Sequence, residues 1–95
     1  MASSKEYLDF VLGQISGVSV TYKKMMGEYL LYANGVLFGG VYDDRLLIKC
    51  TEKATALLPK AEHAVPYEGA RPMSLCDFVD DSERLTECIR ALSVK

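Results

Sequence analysis

From Thr21 to Cys50 the chain is dominated by aromatic, β-branched and aliphatic side chains, interrupted only by short polar or glycine-containing breaks. Such side chains lose rotamer freedom in a helix and pack well on a pleated surface, so this stretch must build a sheet. Asn34-Gly35 can supply the two positive φ angles of a type I′ turn, joining a strand that ends near Ala33 to one over about 36 to 42. Asp43-Asp44 makes the next tight turn, leading into a strand from Arg45 through Cys50. Gly27 is the only break between Thr21 and Ala33. One residue is too short for a hairpin loop, so a single long strand bent or bulged at Gly27 is expected.

Helices flank this sheet. Ser3 and Glu6 have the reciprocal spacing of a capping box, and Tyr7, Leu8, Val11, Leu12 and Ile15 then share one helical face. The first helix is expected from about Ser4 to Ile15, with Gly17 ending it. Thr51 can cap a short helix over Glu52 to Leu58 that turns Ala54, Leu57 and Leu58 inward and stops at Pro59. A short strand around Val65 to Glu68 and a further strand from Arg71 to Phe78 follow. Asp80 and Glu83 repeat the capping spacing, and Leu85, Cys88, Ile89 and Leu92 form a stripe at i, i+3, i+4 and i+7, predicting a last helix from about Asp81 to Ser93. The order helix, three strands, helix, two strands, helix implies an α+β fold of two layers, with helices on an antiparallel sheet. It offers no adjacent pair of short helices for a helix-turn-helix.

With 95 residues, 49 % hydrophobic and 25 % charged, the chain fits one globular domain over residues 1–95. Eleven Lys and Arg against 13 Asp and Glu leave a net charge of -2. Strong nucleic-acid binding is therefore not expected, since it requires clustered excess cations. The N-terminal residues have no apolar stretch after Lys5, and no apolar run approaches the ~20 residues of a spanning helix, so no membrane association is expected. Three widely spaced cysteines, Cys50, Cys76 and Cys88, suit a reducing compartment, and a cytoplasmic location is expected.

The segment Tyr22-Lys23-Lys24-Met25-Met26-Gly27-Glu28-Tyr29-Leu30-Leu31-Tyr32, followed by Asn34-Gly35 and Phe38-Gly39, resembles the N-terminal domain of TfoX/Sxy-type competence regulators. In that family a basic residue, a methionine, a large apolar residue and glycine open the sheet, as Lys24, Met25, Met26 and Gly27 do here; phenylalanine commonly stands where this chain has Met26. Leu46-Leu47-Ile48-Lys49, Pro66-Tyr67 and Met73 fit its later strands. The resemblance covers nearly the whole chain and implies a stand-alone domain with a secretion-chaperone-like fold, as well as a link to the regulation of DNA-uptake genes. Longer relatives carry a second, helical domain.

No catalytic, metal or cofactor signature stands out, and none is expected. His63 has Glu62 beside it but no Cys or His at ligand spacing, whereas a zinc site takes about four such ligands. Cys76 and Cys88 fall on apolar faces and read as packed residues. Cys50 follows Lys49 at a helix N-terminus and is the one thiol whose setting could favour reactivity, although packing is the commoner role. Asp77, Asp80, Asp81 and Glu83 straddle a helix start, where carboxylates stabilise the macrodipole. Gly39-Gly40 lacks the strand-to-helix setting of a phosphate loop and reads as sheet geometry. The nearest approach to a contact surface is Lys23, Lys24, Met26, Tyr29 and Tyr32, with Tyr22 adjoining. Adjacent Met25 and Met26 must point to opposite sheet faces, which leaves one of them for solvent or a partner. The leading expectation is a non-catalytic regulatory or adapter domain acting through protein contacts, with a protein partner or a homodimer using a sheet edge, the strand from Arg71 to Phe78 being the candidate edge. The alternative is a weak nucleic-acid-binding domain, and an enzyme ranks third.

Overall fold

The computed structural model describes residues 4–25, 27–66 and 68–93. In chain order the elements are α1 (Lys5–Gln14), β1 (Val20–Met25), β2 (Glu28–Ala33), β3 (Val36–Tyr42), β4 (Arg45–Ile48), α2 (Glu52–Leu57), β5 (His63–Ala64), β6 (Met73–Leu75) and α3 (Ser82–Leu92). All strand pairs are antiparallel, in one sheet of order β1-β2-β3-β4-β6-β5. The two-layer α+β architecture therefore stands as the sequence implied.

Both polar turns form as expected. Asn34 (φ 50°) and Gly35 (φ 83°) link Ala33 to Val36, while Asp43 (φ 52°) and Asp44 (φ 55°) link Tyr42 to Arg45. Two consecutive positive φ angles give the turn a twist that matches the flanking strands. Gly27 is the correction. Its φ of 85° lies in the left-handed region, and Met25 pairs directly with Glu28, so the chain reverses between them in a hairpin and Gly27 is not a bend within one strand. Four strands, not three, thus precede α2.

The hairpin gives β1 and β2 opposite characters. In β2 burial alternates, with Tyr29, Leu31 and Ala33 buried and Glu28, Leu30 and Tyr32 half-buried, whereas β1 is exposed from Thr21 to Met25. A second irregularity lies in β3. The register passes from Leu31 opposite Gly39 to Tyr32 opposite Leu37, so Phe38 is an inserted bulge residue and both Phe38 and Gly39 face the helices.

One sheet face packs against all three helices. The main core joins Leu8 and Val11 of α1, Ala54 of α2 and Leu85, Ile89 and Leu92 of α3 to Tyr29, Leu31, Phe38, Val41, Leu46 and Ile48. The predicted apolar stripes of α1 and α3 supply these contacts; Leu57, expected inward, is exposed instead. The opposite, open face holds a smaller cluster of Tyr42, Leu47 and Met73, with Leu30, Ala64 and Leu75 packed against it.

Thr51 caps α2 as expected, while the caps of α1 and α3 fall one residue later than the sequence implied. Ser4 Oγ accepts from the Tyr7 amide at 3.1 Å and Asp81 Oδ1 from the Arg84 amide at 3.2 Å. In each doublet the second member is the cap, and Ser3 lies outside the described residues. The expected strand at Val65 to Glu68 forms earlier, as His63–Ala64 against Met73 and Ser74, and the strand expected over Arg71 to Phe78 shortens to three residues. That short strand lies between β4 and β5, so the edges of the sheet are β1 and β5.

At Gly39 and Gly40 neighbouring backbone leaves no room for a side chain. A Cβ on Gly39 would collide with the Leu47 carbonyl oxygen, and one on Gly40 with that of Tyr29. Gly13 in α1 has nothing within 4 Å. Gly39→Ala is accordingly expected to cost at least about 2 kcal/mol in urea unfolding through overpacking against backbone. Gly13→Ala should instead stabilise by roughly 0.5 kcal/mol through helix propensity. Equal midpoints for Gly39→Ala and the parent would show that the strands do not approach so closely.

Candidate interaction surface

The register of β1 on β2 decides which polar and aromatic side chains share a surface. Val20, Tyr22 and Lys24 lie opposite Ala33, Leu31 and Tyr29 on the helix side, while Thr21, Lys23 and Met25 lie opposite Tyr32, Leu30 and Glu28 on the open side. The contact surface suggested by the sequence is therefore divided: Lys24 and Tyr29 are on one face, Lys23 and Tyr32 on the other. Met26 lies outside the described residues. Tyr29 is only 5 % exposed, with its ring edge-on to Tyr22 at 5.7 Å.

Two local surfaces result. On the helix side, the Lys5 ammonium sits 5.7 Å above the exposed Tyr22 ring and bonds Asp9 at 2.7 Å, so α1 and β1 are tied at their margin. The hydrogen bond to Asp9 raises the Lys5 pKa. On the open side, Lys23 and the half-buried Leu30 and Tyr32 form a mixed basic and apolar strip that ends at Met25, which is 40 % exposed. Of the adjacent methionines, Met25 is thus a solvent-facing one.

The edge position of β1 is the feature that reading the sequence missed. Val20–Met25 bonds β2 along one side, and no described strand lies along the other. Gly27 has no Asn or Asp beside it to announce a type I′ turn. The surviving signal was the contrast between polar Thr-Tyr-Lys-Lys and the alternating Glu-Tyr-Leu-Leu-Tyr-Ala.

The residues weighed for chemistry are dispersed. His63 is exposed on β5, and the described residues contain no group of three or more His, Cys, Asp or Glu able to hold a metal. Asp81 caps α3, as an acidic run at a helix start implies. Cys76 and Cys88 are buried, and desolvation pushes the Cys76 thiol up to about 11 and raises that of Cys88. Cys50 is exposed, its Sγ 3.5 Å from the hydroxyl of buried Ser74. No helix among the described residues is long and apolar enough to cross a membrane.

A bulged β3 carrying Phe38-Gly39-Gly40, with the helices confined to one sheet face, can be set beside known proteins. The family model described as the TfoX N-terminal domain matches residues 14–93. The chain belongs to the TfoX N-terminal domain family. It is also 30 % identical over 92 residues to an uncharacterized 12.7 kDa protein in the trpE 5′ region of Spirochaeta aurantia, a match spanning 95 % of this chain and 80 % of that relative. The matched span of this TfoX N-terminal domain includes every strand together with α2 and α3.

Accessibility separates the thiols of this TfoX N-terminal domain. At about pH 8 the native protein is expected to give one equivalent with a thiol-specific chromogenic reagent, from Cys50, and three after denaturation. Cys50→Ser should abolish the native signal. Two or more rapid equivalents in the native state would place Cys76 or Cys88 at the surface.

Proposed function

We propose that this TfoX N-terminal domain is a non-catalytic regulatory or adapter module of the cytoplasm that works by docking an extended segment of another protein on β1. The observation that carries this reading is the exposed six-residue edge strand. Its outward amide and carbonyl groups are a template for one more strand, the mode of recognition in which main-chain hydrogen bonds supply affinity and flanking side chains supply selectivity. Lys23 and Lys24, one on each face, favour an acidic segment. The family's link to competence regulation supports a regulatory context for such docking, by analogy of domain. The absence of a paired nucleophile and base among the singled-out residues supports a non-catalytic role.

Three measurements test the proposal together. In pull-downs from the source cell, the parent should retain a protein that Lys23→Glu/Lys24→Glu loses, the double variant keeping its thermal midpoint. Sedimentation at micromolar concentration detects the competing occupant of the same edge, a second copy of this chain. A protein that binds DNA with a steep salt dependence, and recovers no partner through β1, would instead establish the nucleic-acid reading.

A further inference from the structure

On the open face a cavity of about 350 Å³ lies between the sheet and the segment leading into β6. Its floor and walls are Tyr42, Met73 and Pro72, and its charged groups are Lys49 and Arg71, with Cys50 beside them. The chain has more acidic than basic residues, yet no acidic side chain is among those described as lining this space. Neither Lys49 nor Arg71 forms an ion pair with any described residue. Two cations lining one partly apolar recess, with no acidic side chain among its described lining, leave a positive local potential that an anion would neutralise.

The backbone that presents them is fixed. The Lys49 amide donates to the Phe38 carbonyl at 2.9 Å, tying the end of β4 to the bulge of β3. Arg71 precedes Pro72, whose ring restricts Arg71 to extended backbone, and Met73 then enters the ladder opposite Ala64. Ser74, buried beneath, holds the Cys50 thiol at the margin. The volume lies at the small end of ligand sites, whose usual composition is an apolar wall with a few convergent polar groups.

We propose that this recess binds a small organic anion, with its carboxylate or phosphate between Lys49 and Arg71 and its apolar body against Tyr42, Pro72 and Met73. The site spans β3 to β6 in the sheet order, with β2 between it and the β1 edge, and it does not depend on strand docking at β1. Arg can meet either oxyanion with two parallel hydrogen bonds, and Lys adds a point charge.

The test is an amide-shift titration of the labelled protein with four probes: benzoate, phenyl phosphate, benzyl alcohol and inorganic phosphate. Benzoate or phenyl phosphate should shift Cys50, Arg71 and Met73 saturably, and whichever binds more tightly identifies the preferred head group. Benzyl alcohol should bind about tenfold more weakly for want of the charge-assisted contacts, and Lys49→Gln/Arg71→Gln should lower anion affinity by about the same factor. Both substituted positions are exposed, and an unchanged melting curve verifies the fold. As a second readout, the favoured probe should slow alkylation of Cys50 in the parent and not in the double variant. The proposal is overturned if neither aryl anion saturates, if benzyl alcohol binds equally well, if inorganic phosphate alone matches the aryl anions, or if the double variant binds as the parent does.

Discussion

The close approach of three backbones at Gly39-Gly40 is the constraint on which the rest of the sheet depends. The inserted Phe38 shifts the β3 register against β2, and bulges of this kind bend and twist the strand that carries them. The twist brings the Leu47 carbonyl to where a Gly39 side chain would be and the Tyr29 carbonyl to where a Gly40 side chain would be. With no side chain on Gly40, the Tyr42 ring can lie back across it, within 2.9 Å of the position a Cβ would occupy. That ring then closes the small apolar cluster on the open face with Leu47 and Met73. Phe38 meanwhile enters the main core, and its carbonyl receives the Lys49 amide. One inserted residue thus sets the packing of both faces.

The helical layer is fastened at one point of similar economy. The α1 C-terminus would leave carbonyls without partners, and α3 supplies them: Ser82 Oγ and Thr86 Oγ1 both donate to the Gln14 carbonyl, at 2.6 and 3.1 Å. Gln14 returns the contact by donating to the Val79 carbonyl at 2.8 Å, and the Ser16 amide donates to Thr86. At the other end, the Ser4 amide donates to Asp44 in the turn between β3 and β4. The first helix is therefore held at both ends by groups distant in sequence, and the three helices stay on one face. The open face is left to short segments, which is why a recess can exist there.

What the sequence made legible was local. Asn34-Gly35 and Asp43-Asp44 fixed their turns because two adjacent residues carried the whole requirement. The α3 stripe of Leu85, Cys88, Ile89 and Leu92 fixed its buried face because helical periodicity is a short-range property. Gly27 failed because a glycine without an adjacent Asn or Asp does not announce a turn, and the hairpin is settled instead by the pairing of Met25 with Glu28. The placement of β6 between β4 and β5 depends on pairings across long stretches of chain, such as Leu47 with Leu75, which no local pattern encodes. The divided contact surface was partly legible, since Lys23 and Lys24 are one residue apart and Tyr29 and Tyr32 three apart, and odd separations in strands point to opposite faces.

The same period-two rule shows why a net charge of -2 describes the surface poorly. Lys23 in β1 and Arg45 in β4 both alternate onto the open face, and Lys49 extends the row past the end of β4. Arg45 is half-buried, and its Nε finds no hydrogen-bond partner among the described residues. Several carboxylates instead sit at helix starts: Glu6 in the first turn of α1, Glu52 in that of α2, and Asp81 and Glu83 at the start of α3, where they stabilise N-terminal dipoles. Helix starts thereby take up several acids, and strand alternation places Lys23 and Arg45 on the open face. A domain with such local clusters of cations can keep a modest overall charge, which limits nonspecific attraction to nucleic acid, while parts of its surface remain attractive to an acidic segment or a small anion at short range.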